Sequence, residues 1–162
     1  MPNAITVLGL GNILMSDEGV GVRLLEAVRD SRPWPAEVRF VDGGAGGLNL
    51  LNIIEEAECL VVFDAADMRL VPGDFRILTP DQLAGADDEH RLSLHDVSFV
   101  ETLDLCRRFF RAPELIRILA VQPKCLDYGR QLSPELLAAM PRLMQAGAEL
   151  IADVLARAST AR

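Results

Sequence analysis

Two histidines, three cysteines and a few carboxylates beside apolar runs are the residues of this 162-residue chain whose types suit chemistry. Asp64 is the most distinctive, because it terminates Cys59-Leu60-Val61-Val62-Phe63, a uniformly apolar run. Runs of this kind are strands covered on both faces, so a solvated surface does not account for the carboxylate, and Asp64 is a candidate functional group. Asp17-Glu18 opens a helix, where the plain reading is electrostatic: acids in a first turn gain about 0.3–1 kcal/mol from the macrodipole. His95 lies in Ser93-Leu94-His95-Asp96, a hydroxyl and an acid at capping-box spacing that marks another helix start. The dipole there disfavours an imidazolium and leaves a neutral ring able to bind metal. Local packing at the helix start explains His95 equally well on residue type alone. His90, inside Asp87-Asp88-Glu89-His90-Arg91, reads as a solvated side chain.

Nucleophilic catalysis finds little support. The chain has no Gly-x-Ser-x-Gly, and Ser16, Ser93, Ser98 and Ser133 read as caps or helix residues. Cys125 falls in a loop from which a thiol can in principle pair with His95, but a free cysteine is more often an inert small hydrophobe. Gly9-Leu10-Gly11 after a first strand invites a dinucleotide reading, with Asp42 as ribose acceptor. The full fingerprint needs a third glycine where Leu14 stands. The following helix also starts late, near Ser16 or Asp17, so glycines serving a tight turn are the better reading.

The elements that must position these residues follow from periodicity. Ile5 to Leu10 reads as a buried strand, and Gly19 to about Arg29 as a helix with Val20, Leu24 and Val28 on one face. Glu37 to Val41 is a second strand stopped by Asp42-Gly43-Gly44-Ala45-Gly46-Gly47, and Leu48 to Glu58 a second helix. The third strand, ending at Asp64, is followed by a turn at Pro72-Gly73 and a short edge strand, Phe75 to Leu78. Pro80 to Arg91 reads as a charged loop with room for a helical turn. The helix opened by Ser93 runs to about Arg111, and Leu115 to Val121 is the last strand. Ser133-Pro134-Glu135 starts the final helix, where Pro141 predicts a kink or a restart. This alternation predicts a single α/β domain over residues 1–162: a three-layer α/β/α sandwich with a five-stranded, mostly parallel twisted sheet. The sheet is mixed if Phe75 to Leu78 runs antiparallel, since the link from Asp64 is too brief for a helical crossover. Ligands in such sheets bind beyond the carboxyl ends of the strands, which selects Asn12 to Glu18, Asp42 to Gly47, Asp64 to Asp67 and Gln122 to Gly129.

Composition narrows the partners. Sixteen Lys and Arg against 24 Asp and Glu give a net charge of −8, contrary to the basic surface that nucleic acid or an anionic membrane requires. Cys59, Cys106 and Cys125 are scattered and odd in number, which is neither a disulfide framework nor a four-ligand zinc site. The amino end lacks the features of a signal peptide, and no apolar run approaches the roughly 20 residues of a membrane span. A cytoplasmic monomer without membrane insertion is expected.

Taken whole, the first loop is far more specific than its glycines. Gly9-Leu10-Gly11-Asn12-Ile13-Leu14-Met15-Ser16-Asp17-Glu18-Gly19-Val20-Gly21 resembles the hydrogenase maturation endopeptidases. The likeness continues through Asp42-Gly43-Gly44, Val62-Phe63-Asp64-Ala65, Pro72-Gly73, Ser93-Leu94-His95, Gln122-Pro123 and Leu132-Ser133-Pro134-Glu135. The resemblance implies a protease, aspartic-type by family classification, that trims the carboxyl-terminal extension of the nickel–iron hydrogenase large-subunit precursor. It also implies that Glu18, Asp64 and His95 contact metal and carry catalysis. Many relatives have aspartate where Glu18 stands, and threonine where Ala45 stands. Two carboxylates and an imidazole suit a borderline divalent ion with open positions, too sparse for a closed structural site. The implied ion is nickel supplied by the substrate precursor, with cadmium or zinc as substitutes in crystals. Two other classes compete: a non-catalytic nickel-binding or delivery module, and a nucleotide-binding α/β protein.

Overall fold

The computed structural model describes residues 5–84 and 94–160. Five strands, β1 (Ile5–Leu10), β2 (Val38–Gly44), β3 (Cys59–Ala65), β4 (Phe75–Leu78) and β5 (Leu115–Val121), form one sheet in the order β2-β1-β3-β5-β4. The first three and β5 are parallel; β4 runs antiparallel to β5, with Phe75 opposite Val121. The predicted mixed sheet is therefore the observed one. The short link from β3 to β4 leaves no room for a helical crossover, so the edge strand reverses.

Helices α1 (Val20–Asp30), α2 (Asn49–Glu56), α3 (Pro80–Ala84), α4 (Leu94–Phe109) and α5 (Pro134–Thr160) complete the fold, with a 3-10 turn at Ser16–Gly19 before α1. Side chains alternate along each strand, so the sheet feeds two cores. Val61, Phe63 and Ala65 of β3 pack with Leu24 and Val28 of α1 and Leu143 and Ile151 of α5. Leu60 and Val62 face the other way, onto Leu50 and Ile54 of α2 and Phe99 and Leu103 of α4. Burial of both faces is why β1 and β3 are apolar without interruption.

Several details differ from expectation. β2 continues through Asp42, Gly43 and Gly44 instead of stopping at Val41, because a register shift at Gly9/Leu10 lets Leu10 pair with Gly44. The Gly11 N–H then donates to the Gly44 carbonyl at 2.8 Å. β3 likewise includes Asp64 and Ala65, which pair with Ala120 and Val121. The second helix is shorter than predicted, ending at Glu56. Pro141 neither restarts nor divides α5, a continuous 27-residue helix. The carbonyl that proline deprives of a donor belongs to Leu137, an exposed residue on the solvent side of the helix, where the loss costs least. Among the described residues no helix is long and apolar enough to cross a membrane.

Candidate active site

The loop after β1 folds back on itself, and glycine makes this possible. Gly11 has φ of 134°, and a Cβ there would lie 1.9 Å from the Glu18 carbonyl oxygen. The return brings the 3-10 turn, and Glu18 with it, against the carboxyl end of β3. Asp64 occupies that end. It is only 2% exposed, and its carboxylate accepts the Ala65 N–H at 2.8 Å. By alternation it continues the row of Leu60 and Val62, the face covered by α4. His95 is the second residue of α4. Since α4 leads into the amino end of β5, its own first turn lies at the opposite edge of the sheet, where β3 ends. Glu18, Asp64 and His95 thus come from the α1 layer, the sheet and the α4 layer, each to the carboxyl edge. β1 leads out to β2 on one side while β3 lies on the other, so the crevice between β1 and β3 is the topological switch point where such sheets take ligands. The side chain of His95, and His90 and Ser93 entirely, lie outside the described residues. Among the described residues no three His, Cys, Asp or Glu side chains gather closely enough to hold a metal ion.

The neighbouring acids Asp17 and Glu18 have different surroundings. Glu18 is partly exposed, whereas Asp17 is wholly buried. One Asp17 carboxylate oxygen accepts the N–H groups of Lys124 at 2.9 Å and Cys125 at 3.0 Å, and the other accepts that of Ser133 at 2.7 Å. In return the Asp17 N–H donates to the Cys125 carbonyl. This carboxylate ties the β5–α5 loop to the turn that carries Glu18. Sequence reasoning assigned Asp17 only a dipole role, because its partners lie more than a hundred residues away and are backbone amides without a side-chain signature.

Gln122 organises the other side of the edge. Its side-chain oxygen accepts the N–H of Met68 at 2.7 Å and of Leu70 at 3.2 Å, while its nitrogen donates to Asp67 and to the Pro123 carbonyl. The amide therefore holds the loop that leaves Asp64. Gln122→Ala leaves two backbone donors without their acceptor and is expected to lower unfolding free energy by about 2 kcal/mol, read from a urea transition. The β5–α5 loop is further clamped by the ion pair of Lys124 with Glu135. The Glu135 carboxylate raises the Lys124 pKa above its ordinary value, and the ammonium lowers that of Glu135.

The three cysteines are free thiols, Cys59 and Cys106 buried and Cys125 partly exposed. Burial pushes the Cys106 thiol up, with the Glu55 carboxylate adding to the shift, which suits an inert core residue. The Cys125 thiol donates to an Asp127 carboxylate oxygen at 3.8 Å.

The glycines around β1 serve packing. Gly21, in the first turn of α1, faces the Leu10 and Phe63 carbonyl oxygens so closely that a Cβ would meet both at 2.3 Å. It fills the helix-to-strand packing role that the dinucleotide fingerprint gives to its third glycine, displaced here beyond the 3-10 turn. α1 therefore does not begin directly after the glycines, and the nucleotide alternative loses its geometric basis.

Fold and site together define a doubly covered α/β protein with two carboxylates, Glu18 and Asp64, brought to the carboxyl edge of the sheet. A family model described as hydrogenase maturation protease matches residues 22–150. The chain is 35% identical over 153 residues to the hydrogenase expression/formation protein HoxM of Azotobacter vinelandii, covering 94% of this chain and 73% of that protein. It is 32% identical over 148 residues to the hydrogenase 2 maturation protease of Escherichia coli, covering 90% of each. Among solved structures, the E. coli hydrogenase maturating endopeptidase HybD superposes with a TM-score of 0.80 at 28% identity, over 92% of both chains. The chain belongs to the hydrogenase maturation protease family.

Proposed function

We propose that this protein is the endopeptidase that removes the carboxyl-terminal extension of a nickel-loaded hydrogenase large-subunit precursor, acting as a cytoplasmic monomer. In this reading Glu18, Asp64 and His95 contact nickel already seated in the client, so cleavage depends on metal loading. The observation that carries the reading is Asp64, a buried carboxylate at the end of β3, with the Glu18 turn packed beside it. Two carboxylates and a neutral imidazole are a fitting donor set for a borderline ion that keeps positions open for substrate. Glu18, Asp64 and His95 would hold the client's nickel, which would supply Lewis-acid chemistry at the bond to be cut. One carboxylate would accept a proton from the attacking water and return it to the leaving amine. Family membership supports the protease class; the nickel contact and the aspartic-type assignment are what the family resemblance implies.

The deciding experiment incubates the protein with nickel-loaded and nickel-free precursor and weighs the products. Loss of the extension from the loaded precursor alone is the expected result. Unchanged mass in both samples would favour the nickel-delivery alternative. In the same assay Asp64→Asn and His95→Ala are each expected to lower processing by roughly a thousandfold, and the double variant to add little, since residues acting as a unit are not additive. His90→Ala and Cys125→Ser are expected to process normally. Loss of activity in Cys125→Ser with folding intact would instead revive a thiol mechanism.

A further inference from the structure

Among the described residues, exposed large apolar side chains gather at the carboxyl-edge loops and, with Leu105, Phe109 and Phe110, around the end of α4. Of the exposed ones, Ile13, Leu14, Leu48, Val71, Leu126 and Tyr128 all lie on loops at the carboxyl edge of the sheet. The densest group sits on two segments that run side by side. Met15 and Gly129 form a parallel bridge, and the Gly129 N–H donates to the Leu14 carbonyl. The Ser16 N–H donates to the Gly129 carbonyl and the Ser16 hydroxyl to that of Asp127. Asp17, the next residue of the first segment, accepts the N–H groups of Cys125 and Ser133, which flank the second. Leu14 and Tyr128 each precede the bridged pair, at 50% and 90% exposure, and Leu126 is 52% exposed.

We infer that this ribbon, through Leu14, Leu126 and Tyr128, is the docking surface for an apolar segment of the precursor next to the bond that is cut. Resting on the proposed processing function, the inference adds where the client is gripped. Two facts select this occupant. The ribbon runs directly into the turn carrying Glu18, so it borders the ground on which a polypeptide presented to Glu18 and Asp64 would lie. Its backbone is also fixed by hydrogen bonds, so its side chains are held ready and little ordering entropy opposes binding. A rigid surface bearing an aromatic and two leucines has the make-up of an interface anchor, and burying it in a partner removes an apolar patch from water. Phe109, 73% exposed near the carboxyl end of α4, is at the opposite end of the fold and serves as the matched control.

The test measures binding of fluorescently labelled nickel-loaded precursor by anisotropy, alongside its cleavage, for wild type, Leu126→Ser/Tyr128→Ser, Leu14→Ser and Phe109→Ser. All four positions are exposed, and equal urea midpoints confirm that the variants fold. The double variant is expected to raise Kd and KM at least about tenfold while kcat stays near wild type, and Leu14→Ser to move them in the same direction. Phe109→Ser is expected to change neither. Unchanged Kd and KM in the double variant, or an equal loss in Phe109→Ser, would overturn the docking assignment. Wild-type protein that binds the precursor without cutting it would overturn the processing function alone, and the Kd comparison would still judge the ribbon. Wild-type protein that does not bind the precursor would overturn both.

Discussion

Gly21→Ala is expected to lower the unfolding free energy by about 3 kcal/mol or more, near or beyond the upper end for overpacking. The added methyl would sit 2.3 Å from two carbonyl oxygens, those of Leu10 and Phe63, and both belong to paired strands. No rotamer change relieves that contact, so α1 must lift from the sheet. The consequence reaches the site, because Gly21 is three residues from Glu18 and touches the residue before Asp64. Lifting α1 separates the two carboxylates, and processing should fall even at a temperature where the variant remains folded. Gly44→Ala is the natural comparison. Gly44 has φ of 52° but open space around the missing Cβ, so the cost there is the left-handed backbone alone, about 1–2 kcal/mol. Urea transitions of the two variants separate the explanations. Equal losses would show that the close helix–strand contact is not what makes Gly21 necessary.

Asp17→Ala is expected to cost about 3–5 kcal/mol, because a buried charge-assisted cluster loses its acceptor and three backbone donors lose theirs. Asp17→Asn retains the shape but turns an NH2 group toward an N–H donor, so it should restore only part of the loss. Hydrogen exchange reads the mechanism directly: the amides of Lys124, Cys125 and Ser133 should exchange faster in both variants, while those in the centre of β3 remain protected relative to global opening. Processing should fall too, since Asp17 fixes both the Glu18 turn and the facing loop. A variant with unchanged amide protection at these positions would show that Asp17 does not hold the loop.

The two neighbouring acids show how far the chain can be read without its fold. Residue type and position place Asp17 and Glu18 together in a first turn and do not separate them. Resemblance singles out Glu18, and only the folded hydrogen bonds reveal that Asp17 serves the backbone of a distant loop. Asp64 was legible for a local reason, an ionisable residue closing a run that water does not reach. The glycines were legible as turn formers but not as packing positions. The requirement at Gly21 comes from Leu10 and Phe63 together, and Phe63 joins only when β3 pairs with β1.

By itself, the sequence determined the alternation of strands and helices, the uninterrupted apolar strands that demand cover on both faces, and the reversal of β4. These follow from short-range effects: side-chain periodicity, the reach of a short connection, and glycine and proline punctuation. Tertiary structure decided the order β2-β1-β3-β5-β4, the extension of β2 through Gly44, and the rigid ribbon made by Leu14–Ser16 against Asp127–Gly129. Backbone hydrogen bonds make those choices between segments far apart in the chain, and an N–H or carbonyl looks the same in every residue but proline, so no side-chain pattern announces the pairing.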